Sequence, residues 1–140
     1  MTEIDFYTHA DDRLQVASRL CVKLLALGRK VRVLTLDRTM TSRLDTMLWT
    51  SPAIGFLPHC RLSDALAPET PIIVDDALEH SGDAEVLINL HVEQPPFFRR
   101  FERLAEIVND EADIVAAGRT KWQTYKQQGY TLRVHDLRAG

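Results

Sequence analysis

Two adjacent carboxylates are the strongest indication of catalysis in this sequence. Asp75 and Asp76 directly follow the apolar run Ile72–Val74, and in nucleotide hydrolases carboxylates after such a strand hold Mg²⁺. The chain contains no GxxxxGK(S/T) loop to hold phosphates. We therefore interpret the stretch as a strand that ends in a solvated acidic turn, because strand ends are normally polar. A small α/β enzyme acting on a nucleotide or phosphoester through Asp75, Asp76 and His59 remains an alternative.

Other residue types that serve in catalysis or metal binding are scattered. No histidine stands four residues from another, as two zinc ligands on one helix do. The turn at 8–12, after the first predicted strand, has no glycine, so its backbone cannot approach a pyrophosphate as a GxGxxG loop does. No GxSxG nucleophile pattern is present, although His59 and Cys60 could pair with a distant residue. We expect no catalytic residue, cofactor or metal site.

One face of a predicted C-terminal helix is better suited to binding. Arg119, Trp122 and Lys126 recur at spacings of three and four, so they project from the same side of the helix. A guanidinium can bind a carboxylate in fork geometry while an indole covers apolar surface, which suits an acidic peptide with an aromatic or apolar end. The alternative is an ordinary solvated helix face with Trp122 half-buried at its border.

A second candidate is the aromatic and proline-rich segment 48–59. Its large side chains Trp49 and Phe56 lie beside Pro52 and Pro58, which stiffen the loop. Rigid aromatic residues are favoured in protein interfaces. The same rings could instead complete the core, because large aromatics are mostly buried in monomers as well.

A third pattern interleaves arginines with phenylalanines between residues 97 and 103. Such a pattern can stack the bases of a single-stranded nucleic acid, so direct binding of a single strand is another alternative. The competing interpretation is a short amphipathic segment whose aromatics lie in the core. The residues concerned are Phe97, Phe98, Arg99, Arg100, Phe101 and Arg103.

Composition and charge limit the classes of protein that fit. The chain has 140 residues, 45% of them hydrophobic, which suits one domain spanning residues 1–140. No apolar run approaches the roughly 18 residues of a membrane span, and the start lacks a secretory pattern, so we expect a cytoplasmic protein without membrane contact. The net charge of -3 argues against a general grip on duplex DNA, so any link to DNA is expected to be indirect.

Hydrophobic periodicity predicts the elements that position these residues. Strands are predicted at 4–7, 31–36, 71–74, 85–89 and 130–134, and helices at 14–27, 41–49 and 111–128. Ser42 and Asp45 resemble a capping box near the start of the second helix. Residues 97–101 suggest a short helix, and 104–108 could be helix or strand. Two strands joined by one helix form a right-handed parallel crossover, which indicates an α/β fold.

Three segments carry a resemblance to a known family. By their order and spacing, and by the total length, the chain resembles the chi subunit family of bacterial DNA polymerase III. The segments are Ile4-Asp5-Phe6-Tyr7; Leu48-Trp49, Pro52 and Phe56-Leu57-Pro58-His59, which match LWxxPxxF(L/V)PH; and Arg119, Trp122, Tyr125 and Gly129 followed by an aromatic residue.

The resemblance implies a fold and a set of partners. The fold would be a Rossmann-like α/β domain, with a mixed, mostly parallel sheet, helices on both faces and no nucleotide-binding loop. The chain would be a non-catalytic subunit, and the DNA polymerase activity of the holoenzyme would reside in another chain. It would bind the acidic C-terminal tail of single-stranded-DNA-binding protein. It would also bind the psi subunit of the clamp loader and, in some bacteria, a helicase-like protein that competes with psi.

The resemblance also implies roles for particular residues. Arg119 matches the arginine that is central to tail binding, Trp122 the neighbouring aromatic, and Lys126 a basic position one turn further on. Family members carry basic residues where this chain has Val115 and Gln123, so we expect tail binding of micromolar strength, about -8 kcal/mol, with Lys121 and Lys126 compensating in part. The psi or helicase-like partner would contact Trp49, Phe56, Leu57 and Pro58.

Overall fold

The protein folds around one sheet of seven strands in a computed structural model that describes residues 1–50 and 57–139. The spatial order of the strands is β3-β4-β2-β5-β6-β1-β7, and each observed pairing is parallel. The predicted α/β class is therefore confirmed, with a parallel sheet where a mixed one was expected. The strands are β1 (Glu3–Ala10), β2 (Val31–Leu34), β3 (His59–Cys60), β4 (Ile72–Asp75), β5 (Val86–Asn89), β6 (Arg103–Asn109) and β7 (Leu132–Asp136).

Within these described residues, three helices connect the strands: α1 (Arg13–Ala26), α2 (Arg38–Trp49) and α3 (Ala112–Gln127). Asp12 caps α1 by accepting hydrogen bonds from the backbone N–H groups of Leu14 and Gln15, at 3.0 and 3.2 Å. Short 3₁₀ turns lie at Ala67–Glu69, Phe98–Arg100 and Leu137–Ala139. Within the described ranges, no helix combines the length and the apolar character that crossing a bilayer requires.

The predicted start of α2 was wrong. The helix begins at Arg38, where Asp37 accepts a hydrogen bond from the backbone N–H of Met40 at 2.8 Å. Ser42 and Asp45 therefore lie within the helix and form no capping box. The Asp45 carboxylate instead accepts a hydrogen bond from His59 Nε2 at 2.9 Å and so ties α2 to β3.

The two faces of the sheet carry separate cores. Helices α1 and α2 pack on one face, with Ala17, Cys21, Leu44 and Leu48 fully buried. Helix α3 and the aromatic turn before β6 pack on the other face, which confirms helices on both sides. The buried aromatic rings of this second core are Phe6, Phe97, Phe98, Phe101 and Tyr125.

Residues 104–108, which periodicity left open, belong to the central strand β6. This strand pairs with β1 on one side and β5 on the other. Leu104 and Val108 face the α3 core, whereas Ala105 and Ile107 face the α1 core. Because both faces are buried, the strand shows no alternation of polar and apolar residues by which it could be told from a helix.

Helix α3 runs from the carboxyl end of β6 back to the start of β7, and β1 lies between these two strands. Gly129 follows the helix with a φ of 88°, in the left-handed region that glycine adopts without strain. Gly118 and Tyr125 face the sheet. This arrangement places one side of α3 above the ends of β1 and β6.

Candidate functional site

A groove of about 530 Å³ lies between α3 and the ends of β1 and β6, with β7 at its side. Its apolar part is formed by Phe6, Val108, Val115, Trp122 and Val134, and Gly118 lies among them. Its polar part is formed by Thr8, His9, Asn109, Arg119 and Gln123. The groove thus combines an apolar floor with hydrogen-bonding groups at its rim, as binding sites for peptides and small molecules usually do.

Trp122 forms a wall of this groove. Its ring packs edge-on against Phe6, with the two ring centroids 5.1 Å apart. The side chain is half-buried against the α3 core and also lines the groove. One part of the indole is therefore fixed by the core while another part can cover an apolar ligand group.

Arg119 is the cation of the groove. It is exposed, and the part of the chain that the structure describes provides it with neither a hydrogen bond nor an ion pair. A guanidinium without an internal partner keeps its donors for a ligand, and it binds a carboxylate well in fork geometry.

The structure brings together four of the five residues assigned to the tail site. Val115, Arg119, Trp122 and Gln123 line the groove, whereas Lys126 is exposed one turn further along α3 and lies outside the lining. Val115 makes part of the wall apolar, at a position where the resemblance implies a basic residue in other family members. The groove is therefore less cationic than the resemblance implies.

Lys121 does not compensate for the missing charge, contrary to our expectation. It is 6% exposed, and its Nζ lies 2.6 Å from Glu106 Oε1. The physical reason is its spacing: Lys121 stands three residues after Gly118 and four before Tyr125, on the stripe that faces the sheet. That spacing is visible in the sequence and could have revealed the burial.

The ion pair of Lys121 belongs to a buried network that holds α3 on the sheet. Glu106 of β6 also accepts hydrogen bonds from Tyr125 Oη at 2.7 Å and from Asn89 Nδ2 at 2.9 Å. Lys121 donates a further bond to the carbonyl oxygen of His91 at 3.0 Å. Burial, together with the neighbouring Glu106 carboxylate, raises the pKa of the Tyr125 hydroxyl. The network fixes the rotation of α3, and with it the direction in which Arg119 and Trp122 project.

Sequence reasoning missed the groove residues outside α3. Thr8, His9 and Asn109 stand at the carboxyl ends of β1 and β6, and Val134 on β7 is 55% exposed. Ligands of open parallel sheets commonly bind at the carboxyl ends of strands. Polar residues at the ends of two predicted strands were a usable signal, but the sequence did not indicate that these strands are neighbours.

The aromatic segment forms a second candidate surface at the end of α2. Trp49 is 53% exposed and packs edge-on against His59, with ring centroids 5.1 Å apart. Pro58 is half-buried. Leu57, which was assigned to the same surface, is fully buried in the α1 core, so its side chain cannot offer a contact there. Phe56 lies outside the described residues.

The alternative enzyme site is occupied by structural contacts. Asp75 is 4% exposed and accepts hydrogen bonds from Arg61 Nε and the backbone N–H groups of Leu62 and Ala77. Burial alone would raise the pKa of Asp75, but these bonds hold it below its usual range. Asp76 also pairs with Arg61, at 2.9 Å. The turn is thus less solvated than expected, because Asp75 is buried and both carboxylates pair with the partly exposed Arg61. The residues described include no cluster of acidic, histidine or cysteine side chains suited to a metal.

The structure also argues against the alternative that residues 97–103 bind a single-stranded nucleic acid by stacking. The three phenylalanine rings between residues 97 and 101 are at most 8% exposed, so none can stack on a base. Arg99 donates a hydrogen bond to Tyr130 Oη, and Arg100 donates one to the carbonyl oxygen of His80. These arginines stabilise the turn from outside.

Comparison with known proteins gives one consistent result. The family model described as DNA polymerase III chi subunit, HolC, matches residues 1–133. A protein of Pseudomonas aeruginosa named DNA polymerase III subunit chi is 37% identical over 141 aligned positions, which cover 98% of each chain. The proteins of the same name from Escherichia coli K12 and Haemophilus influenzae are 26% and 23% identical. These two alignments cover 75% and 88% of this chain, and 72% and 86% of the relatives.

Proposed function

The chain belongs to the DNA polymerase III chi subunit family, and from that premise we propose that it is a non-catalytic adaptor of the replicative polymerase. In this proposal the groove binds the acidic C-terminal tail of single-stranded-DNA-binding protein. The surface around Trp49 binds the psi subunit, which connects the chain to the clamp loader. The polymerase activity of the assembly resides in another chain.

The observation that carries this proposal is the position of an unpaired arginine beside an apolar groove. Arg119 has no internal partner within the described residues, and Trp122 lines the same cavity with one part of its ring in the core. An acidic peptide with an apolar end would satisfy both groups at once. The guanidinium would bind a carboxylate, and the apolar wall would cover the terminal side chain.

The expected strength of binding is modest. Val115 and Gln123 contribute no charge, and the side chain of Lys121 is buried against Glu106. One strong ionic contact and a single apolar side chain fit an affinity on the order of micromolar, or about -8 kcal/mol. Because the ionic contact is at the surface, added salt should weaken it.

The two proposed surfaces lie on opposite faces of the sheet. Trp49 ends α2, which packs on the α1 core, whereas Arg119 and Trp122 belong to α3 on the other core. A partner on one surface would therefore leave the other accessible. This separation suits an adaptor that holds the tail and the clamp loader at the same time.

Calorimetric titration with a peptide of the acidic tail, with and without bound psi, tests the proposal. We expect micromolar affinity that psi does not change. Trp49→Ala should abolish capture of psi and leave tail binding intact. The matched control is Arg43→Ala, because Arg43 is an exposed residue of the same helix and its loss should affect neither partner. Failure of the wild-type protein to bind the peptide would refute the tail site, and capture of psi by Trp49→Ala would refute the second surface.

A further inference from the structure

His9 stands at the rim of the groove in the left-handed backbone region, which residues other than glycine adopt uncommonly. Its φ is 59°, and it is the only residue other than glycine with positive φ among those described. The pairing of β1 with β6 shifts register between Tyr7 and Ala10, around this position. A strained conformation of this kind persists where the surrounding structure holds it, and it is concentrated at binding sites.

Among the described residues, the imidazole of His9 is held at one of its two ring nitrogens. Its Nδ1 lies 2.6 Å from Asp110 Oδ1. A carboxylate can only accept, so Nδ1 carries the hydrogen. Across residues 1–50 and 57–139, no group forms a hydrogen bond with Nε2. The side chain is 33% exposed and lines the groove together with Arg119.

The hydrogen bond from Nδ1 to Asp110 determines how protonation of His9 changes the hydrogen-bonding role of Nε2. With Nδ1 donating to Asp110, the neutral ring has a lone pair on Nε2 and would repel a carboxylate there. The protonated ring has an N–H on Nε2 and would donate a charge-assisted hydrogen bond to the same carboxylate. Histidine is the side chain whose charge changes in the range of pH 5 to 8.

We propose that His9 is a second carboxylate-binding side chain of the groove, and that its protonated form strengthens the binding of an acidic peptide. This inference rests on the proposed function of the groove. Arg119 supplies a permanent charge, and His9 supplies a charge that depends on pH. Tail binding should therefore be tighter at pH 6.0 than at pH 8.0.

The other charged groups near His9 do not produce this dependence. Asp110 is its partner, and Arg119 shares the groove. On the β7 side, Asp136 pairs with Arg138 at 2.9 Å, and the hydrogen bonds from Arg138 hold the pKa of Asp136 at about 2. Carboxylates and guanidinium groups generally keep one charge between pH 5.5 and 8. Glu111 and Asp113 at the start of α3 are of the same class.

Fluorescence anisotropy with a labelled acidic peptide that ends in phenylalanine tests the proposal. We expect the wild-type protein to bind about two to five times more tightly at pH 6.0 than at pH 8.0, the range of an exposed ion pair. His9→Asn should bind equally at both values, because asparagine tolerates the left-handed conformation and does not titrate. The control His135→Asn, on the α1 face where His135 contacts Asp5, should keep the wild-type dependence.

A second variant leaves His9 itself in place. Asp110→Asn removes the carboxylate that accepts the hydrogen bond from Nδ1 and orients the ring, so the gain in affinity at pH 6.0 should be smaller than in the wild type. The inference about His9 is overturned if wild type, His9→Asn and Asp110→Asn respond identically to pH while all bind the peptide. If the wild-type protein binds the peptide at neither pH, the proposed function of the groove falls as well.

Discussion

Replacing Arg119 with alanine is the perturbation that the structure defines best. In the free protein the Arg119 side chain is exposed, and the described residues offer it no internal partner. Its removal should therefore change the free energy of unfolding by no more than about 0.5 kcal/mol, as is usual for such a surface position. Any larger effect on binding then reports the complex and not a damaged fold.

The expected loss of binding free energy in Arg119→Ala follows from the ionic contact that the tail would lose. A hydrogen bond to a charged group contributes about 1.5 to 3 kcal/mol. Truncation of Arg119 should therefore raise the Kd of the acidic peptide about 10- to 150-fold. Binding of the wild-type protein should weaken with added salt, and the variant should lose most of this dependence because its principal ionic contact is gone.

Isothermal titration at two salt concentrations provides the assay. Arg19→Ala is the matched control, because Arg19 is an exposed helical arginine of α1 on the opposite face and its loss changes the net charge equally. We expect Arg19→Ala to bind as the wild type does. An unchanged Kd for Arg119→Ala, or an equal loss in both variants, would refute the assignment of Arg119 as the carboxylate-binding group.

Three further predictions concern the support of the groove and the core. Lys121→Met should lower the free energy of unfolding by about 3 to 5 kcal/mol in a urea titration, because it leaves the buried Glu106 carboxylate without its cation; a change below 1 kcal/mol would contradict this. Burial, with nearby arginines, lowers the pKa of His80 to about 4 from 6.5. The contribution of His80 to the free energy of unfolding is therefore complete above pH 6.5. It falls by about 3 kcal/mol toward pH 4, because over that range only the unfolded chain takes up a proton at His80. His80→Asn should show a shallower fall in urea titrations over that range, and an identical slope would disprove the assignment. Gly118→Ala would place a methyl group 3.1 Å from Val108 Cγ2, and this close contact should cancel the gain in helix propensity. In a Val108→Ala background the contact is absent, so Gly118→Ala should stabilise the protein by about 0.5 to 1 kcal/mol. Thermal melts of Gly118→Ala in the two backgrounds test this.

Much of the fold could be predicted because its signals are local. Short apolar runs indicated most strands, and helical spacing with caps and end glycines indicated α1 and α3 correctly. Residues 104–108 stayed open because neighbours distant in sequence bury both faces of β6, so the strand shows no period. The predicted start of α2 was wrong for a local reason, because Asp37, not Ser42, is the capping residue.

Only the part of the candidate site that lies on helix α3 could be predicted from the sequence. Arg119 and Trp122 share a face of α3, and helical spacing alone brings them together. The opposite wall of the groove is formed by Thr8, His9 and Asn109. Thr8 and His9 lie about 100 residues before α3 in the sequence, and Asn109 lies just before it. The pairing of β1 with β6 creates that wall, and no sequence pattern within either strand encodes it. Lys121 shows the converse error, since a partner in β6 buries a lysine that was assigned to the surface.

Amide chemical shifts of the labelled protein, recorded during titration with the acidic tail peptide, test the central claim most directly. We predict that the largest changes cluster at Val115–Gln123, Thr8 and Asn109, around the groove, and that residues of α1 and α2 stay unchanged. Changes confined to the region of Trp49, or spread evenly over both faces of the sheet, would contradict the account.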